Sequence, residues 1–503
     1  MTLRDVEKLR LWRLKIFRNQ QPILRAKPPH ASRKTQYLFQ KIDNVKSQFG
    51  TDGKGDLLWQ RDGMNPYHDL YDPGDLRTHR LSVTKLLTKS WCELRFAYDL
   101  YSRLPLFREA HLAAGERTHQ KLENSEHTPV IRPQDIPQFS ETVEIVEDDL
   151  HVLAASWAET ITRLIHLFSS GDAREILCHG YLNKETNELY DPMETEVWDP
   201  SQHILISGII DHLTLTSKDG NLPLNNHHRS IDDSIAKLKS TRNEFAKNGL
   251  TIQISDVKTR TRKFIPPQES VQNATKLQLM YYRHFLLSLG TDSDNTYEML
   301  LYNARIRGVD VDQPLNPANC LLIMIQMDGF VGDFVKLQNG DGFQFPKFDN
   351  APISHSFILA DAKHHQFLQN INSHELAGQL LNGTFAKPIT LRYFAMRLAQ
   401  MYSMLTPLIS EKLKVEYYHN NECFQEVEFV NDKKSLGESC RSASSFWFGK
   451  RAIEPVEATT FNYNQYCKHC DYRDHCAWIK DSLAKSTKLG DELTQIARRI
   501  HNI

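Results

Sequence analysis

A chain of 503 residues has room for one large elaborated domain or for two to three modules. Its 40% hydrophobic and 24% charged residues are ordinary for a folded globular protein, and its net charge of −1 argues against a uniformly basic nucleic-acid binder while leaving room for a local basic groove. No window approaches 18 uninterrupted apolar residues, so no membrane association is expected, and eight unevenly placed cysteines do not form a secreted disulfide framework.

The chain opens on a basic stretch. Arg4, Lys8, Arg10, Arg13, Lys15 and Arg18 stand against Asp5 and Glu7, while Leu3, Leu9, Trp12, Ile16 and Phe17 fall on one stripe of a helix. Residues 1–45 therefore read as a basic arm resembling a mitochondrial presequence, although serine is scarce. The alternative is an arm that touches nucleic acid, in a nuclear or cytoplasmic protein.

Residues 45–75, rich in Gly, Asp and Pro, read as loop. A helical region is predicted over 82–104, with Ser82 as its cap but Lys85 where a capping box needs an acid. Further helices are predicted over 112–122 and 152–168, joined by a Pro-rich acidic connection at 124–149. Strand patterns follow at 175–180 and 204–215. The long polar stretch 218–249 reads as a protruding insertion carrying a helix over 231–248. Residues 250–260 alternate as a strand, 269–289 form a strong helix, and 296–335 again read as strands. Residues 370–415 are predicted helical, 413–430 a hairpin, and 481–503 a short charged helix; no internal repeat is present.

Several residues along this path carry chemistry. In the strand Leu-Thr-Ile-Gln-Ile-Ser-Asp-Val-Lys, Asp256 and Lys258 project from one side and Val257 from the other. A carboxylate beside an ammonium can hold a divalent cation and steady an attacking water, though such a pair alone is usually a surface ion pair. Gly208-Ile-Ile-Asp211 closes the preceding strand, and Asp211 converges on Asp256 if the two strands are neighbours, making the oxygen-rich site that Mg²⁺ or Mn²⁺ prefers. Gln278 and Tyr282 share one face of the strong helix. Gln278 can orient a water or phosphate, and Tyr282 offers a ring and a hydroxyl. His119, four residues before Glu123 on an earlier helix, is a metal-ligand or phosphate-contact candidate. Glu175, opening its own strand, is a further metal-site carboxylate.

Cys467, Cys470 and Cys476 lie within ten residues, and the two-residue gap lets neighbouring thiolates share one centre. Cys92, after Trp91 near the start of the fold, is the candidate fourth ligand and would staple the two ends of the chain together. Spacing alone leaves zinc and a [4Fe–4S] cluster both open. Cys178, Cys320, Cys423 and Cys440 lack metal spacing and read as plain buried thiols.

Together these pieces resemble the eukaryotic exonuclease V family, a branch of the RecB-like PD-(D/E)xK nucleases. The likeness is carried by Leu81-Ser-Val-Thr-Lys-Leu-Leu with Trp91-Cys92-Glu93-Leu94, by residues 115–123, by Gly208-Ile-Ile-Asp211, Asp256-Val-Lys258 and Gln278-Leu-Met-Tyr-Tyr282 in their order (Leu279 to Tyr281 lying between), and by the cysteine triplet. It covers roughly residues 75–480 apart from the 218–249 insertion. The resemblance implies an α/β fold: a PD-(D/E)xK nuclease core with a mixed central sheet flanked by helices, an extra helical region, and an iron–sulfur staple joining the N- and C-terminal parts. It implies a single-stranded DNA exonuclease using Mg²⁺ in DNA repair, replication or mitochondrial genome maintenance. Asp211 and Asp256 would bind metal, with Glu175 beside them, and Lys258 would position the nucleophilic water. Gln278, Tyr282 and His119 would complete the catalytic set, and Cys92, Cys467, Cys470 and Cys476 would hold a [4Fe–4S] cluster. A monomer is expected, with a single-strand-binding protein as the partner such an activity would meet. A second reading, a non-catalytic metal-stapled nucleic-acid-binding protein on a nuclease-like scaffold, is opposed by the presence of Asp211, Asp256 and Lys258 together. Two features depart from the family pattern: Asp256 stands where relatives often have Glu, and the insertion between the two aspartates is unusually long.

Overall fold

The computed structural model describes residues 33–49, 64–70, 80–104, 110–127, 145–192, 202–224, 230–245, 247–327, 329–352, 357–358, 384–457, 459–473, 476, 478–479 and 481–482. The basic stripe at 3–17, most of the 124–149 connection and the charged tail beyond 482 lie outside the described residues.

The strands are β1 (Arg80–Ser82), β2 (Asp172–Asn183), β3 (His203–Thr216), β4 (Thr251–Thr259), β5 (Phe357–Ile358), β6 (Thr384–Phe385), β7 (Ile409–His419) and β8 (Glu422–Val430). β5 and β6 pair only with each other, and the remaining six form one mixed sheet. β3 is its organising strand. Its sequence His-Ile-Leu-Ile-Ser-Gly-Ile-Ile-Asp-His-Leu-Thr-Leu-Thr is nearly continuously apolar, and its residues are buried on both faces, as a strand covered above and below must be.

One edge of β3 pairs antiparallel with β2 along nearly its whole length. The other edge changes partner. It runs parallel with β1 from Leu205 to Ser207, then antiparallel with β4 from His212 to Thr216. Gly208 to Asp211 therefore form a gap between two partners, and the gap is where a helix and a carboxylate enter. Beyond β4 the sheet continues through parallel β7 to antiparallel β8. β7 and β8 are the hairpin expected over 413–430, with β7 starting earlier, at Ile409.

Helices close on this sheet. Asp148 accepts the His151 amide and starts the Asp149–Ser170 helix, which stops at Gly171 in the left-handed region (φ 92°). The Glu269–Thr291 helix lies close enough to need glycines beneath it. A Cβ on Gly180 would stand 2.2 Å from the Phe285 ring, and one on Gly208 would stand 2.5 Å from the Tyr282 ring.

The structure corrects several expectations. Residues expected as strands over 296–335 form the helices Ser293–Arg305, Pro317–Gln326 and Phe330–Asn339. Leu321, Ile323 and Met324 are buried, and a helix covered on most sides loses the amphipathic period that marks it in sequence, whereas Phe330, Asp333, Phe334 and Leu337 of the last helix are buried at helical spacing. The single helical region expected over 82–104 is broken. Ser82 pairs with Ser207 in the sheet, a short helix spans Val83–Leu86, and a second begins at Glu93 after an extended Cys92. In the 370–415 region the described helix is Leu391–Leu405, and residues 359–383 lie outside the described residues. The end of the basic arm is part of the fold: a helix spans Arg33–Phe49, with Ile42 and Val45 buried and Asn44 donating to the Ser102 carbonyl. Between 45 and 75, otherwise expected as loop, a short helix spans Pro66–Leu70. Among its described residues, the helical part of the insertion packs into the fold rather than protruding. Its Ile231–Thr241 helix buries Ile231, Ile235 and Leu238, and its Asp232 receives Arg397 and Lys336.

Candidate active site

The partner change along β3 builds the site. The last β3–β4 pair is His212 with Ser255, so the next residues to face each other are Asp211 and Asp256. On the other edge Arg174 pairs with His212 and Ile176 with Ile210, which sets Glu175 opposite Asp211. Three carboxylates thus stand in a row across β2, β3 and β4. Neither aspartate is at a strand end, as the sequence suggested; both are internal, and Asp256 is fully buried.

Glu175 likewise does not open β2. It sits inside the strand with a positive φ of 56°, and pairing is interrupted there although the register is kept on both sides. A non-glycine residue in the left-handed region carries strain of order 1–3 kcal/mol, which the surroundings must hold. Arg163 does so by donating to the Glu175 carbonyl at 2.7 Å. Arg163 also takes Glu123, so the acid four residues after His119 supports the site from behind.

His119 reaches the row from the Ala110–Glu126 helix. Its Nδ1 lies 3.5 Å from a Glu175 carboxylate oxygen and 4.0 Å from one of Asp211. Gly115 lets this helix approach β4, since a Cβ there would stand 2.9 Å from the Thr259 hydroxyl. His119, Glu175 and Asp211 each offer a ligand atom within 4.8 Å of the other two, the one such grouping among the described residues.

Asp256 is tied in differently. Lys258 Nζ lies 2.7 Å from its Oδ2, while its buried Oδ1 receives no hydrogen bond, so one acceptor is left under-satisfied. Lys258 also donates to Gln278 Oε1 at 3.4 Å, and Gln278 Nε2 donates to the Tyr282 hydroxyl at 2.8 Å. Asp211 Oδ2 accepts the Val257 amide at 2.8 Å, locking the two aspartates into one frame.

The electrostatics follow from crowding. Burial, with Asp256 adding and His119 opposing, raises Asp211 to about 7. Burial works against a charged His119, but Asp211 and Glu175 raise it to about 9. Burial likewise opposes a charged Lys258, and Asp256 and Asp211 outweigh it, so its pKa is raised. A concentration of buried acid partly neutralised by a histidine and a lysine is an arrangement that a divalent cation would complete. All seven residues singled out from sequence (Asp211, Asp256, Lys258, Gln278, Tyr282, His119 and Glu175) meet here. Arg163 and the Val257 amide were missed. Arg163 lies on a helix whose sequence carries no sign of the turn it stabilises.

The four cysteines form a second cluster. Cys92, Cys467, Cys470 and Cys476 line one pocket with Trp91, Arg95, Tyr98, Tyr466, Tyr472 and Trp478. Trp91 meets Tyr466 edge-on, Tyr98 stacks on Tyr472 at 5.0 Å, and Arg95 lies over Trp91 while pairing with Asp471. Burial, with Cys92 and Cys476 adding, raises Cys467 to about 11 and Cys470 to about 12. The same two chain regions are joined by buried Glu93, which takes a fork from Arg451 at 2.6 Å on each oxygen and the Glu454 amide. Cys178, Cys320 and Cys440 are buried as expected, but Cys423 is exposed on the outer hairpin strand. Among the described residues no helix is long and apolar enough to cross a membrane.

Comparison with known proteins supplies the context. Residues 75–479 match the family model described as "Exonuclease V - a 5' deoxyribonuclease". The chain is similar to a protein of Candida glabrata named "Exonuclease V, mitochondrial", 99% identical over 503 residues and all of both chains. Proteins of the same name from Eremothecium gossypii and Kluyveromyces lactis are 39% identical over 83% of this chain and 80% of theirs, and 36% identical over 96% and 93%.

Proposed function

The chain belongs to the exonuclease V family, a family of 5′ deoxyribonucleases, and on that premise we propose that it hydrolyses single-stranded DNA from an end in mitochondria, with a divalent cation, Mg²⁺ first, held in a PD-(D/E)xK core. The mitochondrial setting comes from the names of its relatives. The observation that carries the chemistry is the row Glu175–Asp211–Asp256 across three adjacent strands, with Lys258 on Asp256 and His119 over the other two.

The donor set fits such a cation: hard carboxylate oxygens, one imidazole, and an under-satisfied buried aspartate. A bound Mg²⁺ would supply Lewis-acid polarisation of the phosphate and a lowered pKa for a coordinated water. The chain's own residues do the rest. Lys258 keeps its proton at neutral pH and places a fixed positive charge where negative charge grows on the phosphate oxygens. Gln278 holds the lysine, and Tyr282, seated in the space left by Gly208, holds Gln278. The tethered lysine loses little freedom when the substrate arrives.

The cysteine pocket suits an iron–sulfur cluster with a structural role. Four thiolates can hold either a tetrahedral zinc or an iron–sulfur cluster, and the cluster is the reading that the family likeness supports. The test of the whole reading is digestion of end-labelled single-stranded DNA with and without Mg²⁺, on 5′-blocked, 3′-blocked and circular substrates, by the wild type and by Asp256→Ala. Absence of cutting by a wild-type protein that binds DNA would favour the non-catalytic binding module.

A further inference from the structure

Resting on the single-strand reading, we propose that Phe264 is a base-stacking residue that fixes the position of the substrate strand beside the catalytic centre. The segment between β4 and the Glu269–Thr291 helix leads directly out of the active site. Lys258 lies one residue before the end of β4, and Arg260-Thr-Arg-Lys-Phe-Ile-Pro-Pro follows. Phe264 is 60% exposed, one of the few large apolar side chains so placed among the described residues.

A solvent-facing phenylalanine on a loose loop would mean little, but this loop is pinned. The Arg260 amide donates to the Tyr418 carbonyl, and the Arg260 carbonyl meets His419 Nδ1 at 3.1 Å. The Arg260 guanidinium lies over the Tyr417 ring. On the far side Gln272 donates to the Pro266 carbonyl, Ser270 donates to the Ser90 carbonyl, and Ile265 packs on the core. The Phe264 amide closes a tight turn onto the Arg262 carbonyl at 2.7 Å. The ring is therefore held outward while its neighbour Ile265 is held inward.

Its surroundings identify the ligand chemistry. Arg262 and Lys263, the two residues before Phe264, are exposed, and among the described residues Lys263 pairs only with Glu422, at a solvent-exposed 3.9 Å that is weak in water. An aromatic face with two cations next to it in the chain matches a strand of alternating bases and phosphates; an apolar protein surface would leave both cations desolvated and unanswered. Six residues of chain reach at most about 20 Å, so the ring acts within a few nucleotides of the phosphate at Lys258.

The test uses full-length protein carrying Asp256→Asn to prevent degradation, with single-stranded oligonucleotides in which 2-aminopurine is scanned through successive positions. Stacking on Phe264 quenches the probe at one or two adjacent positions. Phe264→Leu abolishes that local quench and weakens binding about ten-fold, while Phe264→Trp keeps both. If Phe264→Leu leaves the quench pattern unchanged and affinity within about two-fold, the proposal is overturned and the ring is assigned to a protein contact. Failure to bind single strands overturns it as well. Should the Phe264-dependent quench be present while the protein without Asp256→Asn cuts nothing in Mg²⁺, stacking stands and the nuclease reading falls.

Discussion

Asp211 and Asp256 face each other one step past the last β3–β4 pair, and the Asp211 carboxylate is fixed there by the Val257 amide at 2.8 Å. Folding thus places two acids against each other before any cation arrives. The cost is visible in Asp211, which burial and then Asp256 raise from 3.8 to about 7 despite His119. An acid whose folded value lies above its unfolded value loses stability as pH climbs between the two, here from about 4 to about 7. Asp211→Asn keeps an acceptor for Val257 and removes the repulsion. It should raise the melting midpoint of chelator-treated protein at pH 7.5 by about 2 °C or more, and remove the further rise that Mg²⁺ gives the wild type. A lowered midpoint would show that the carboxylate is worth more as a partner of His119 than it costs.

The opposite neighbour of Asp211 is structural. His212 is buried between Asp172 at 2.9 Å and Glu416 at 3.1 Å. Burial alone would raise Glu416, but hydrogen bonds from His212 and Lys414 hold it at about 2, while burial of His212 is outweighed by the same two acids and its pKa is raised. The signs differ. The Glu416 contribution is complete above 4.5 and fades as pH falls toward 2; the His212 contribution is complete below 6.5 and fades as pH rises through its raised value. Both are in force between about pH 4.5 and 6.5. Glu416→Gln should cost about 3 kcal/mol in urea unfolding at pH 5.5, with the deficit shrinking steadily toward pH 3. A deficit independent of pH would mean that packing, not charge, holds the position.

The chain Lys258–Gln278–Tyr282 ends on a glycine, which makes its two ends separable. Tyr282→Phe removes only the hydroxyl that accepts Gln278 and should lower kcat about ten-fold with little change in KM or in the melting midpoint. Gly208→Ala drives a methyl to 2.5 Å from the ring and should lower stability as well, by about 1–3 kcal/mol. If Tyr282→Phe matches the wild type in kcat, the tether is not what orients the lysine.

How much of this was legible in sequence depends on whether a signal is local. Asp256, Lys258 and Asp211 could be read because alternation on a strand is a local rule, and β3 and β4 proved adjacent. Glu175 was legible as an acid but not as the partner of Asp211, since the register of β2 against β3 and the left-handed turn at that residue are set by distant pairing and by Arg163. The Pro317–Gln326 helix escapes the pattern because burial on most sides erases the helical period, while Phe330–Asn339 does carry that period, in Phe330, Asp333, Phe334 and Leu337. The 218–249 insertion looked like a protrusion because polar composition hides two or three decisive contacts. Asp232 reaches buried Arg397, which no pattern within the insertion announces.

The cysteine cluster offers the last prediction, because two independent ties join the same chain regions. One is the thiol pocket, in which Cys92 from the N-terminal part meets Cys467, Cys470 and Cys476. The other is Glu93, fully buried and forked to Arg451. Cys92→Ser removes a ligand and spares the ion pair. Glu93→Gln weakens the ion pair and leaves every thiol in place. Burial holds Cys467 and Cys470 above their ordinary range, and loading the site requires its thiols to give up protons. Protein purified without oxygen should be brown, absorb near 400 nm, roughly where thiolate-ligated clusters do, and contain iron. Cys92→Ser should be pale and iron-poor yet retain most of its far-ultraviolet helix signal. Glu93→Gln should keep colour and iron while its unfolding midpoint falls, since the half-buried Arg451 guanidinium loses its fully buried charged partner and keeps only Glu454 at 3.8 Å. Colourless wild-type protein containing zinc would replace the cluster with a zinc site. A Glu93→Gln protein that loses iron along with stability would show that the ion pair, not the cysteines, sets the shape of the pocket.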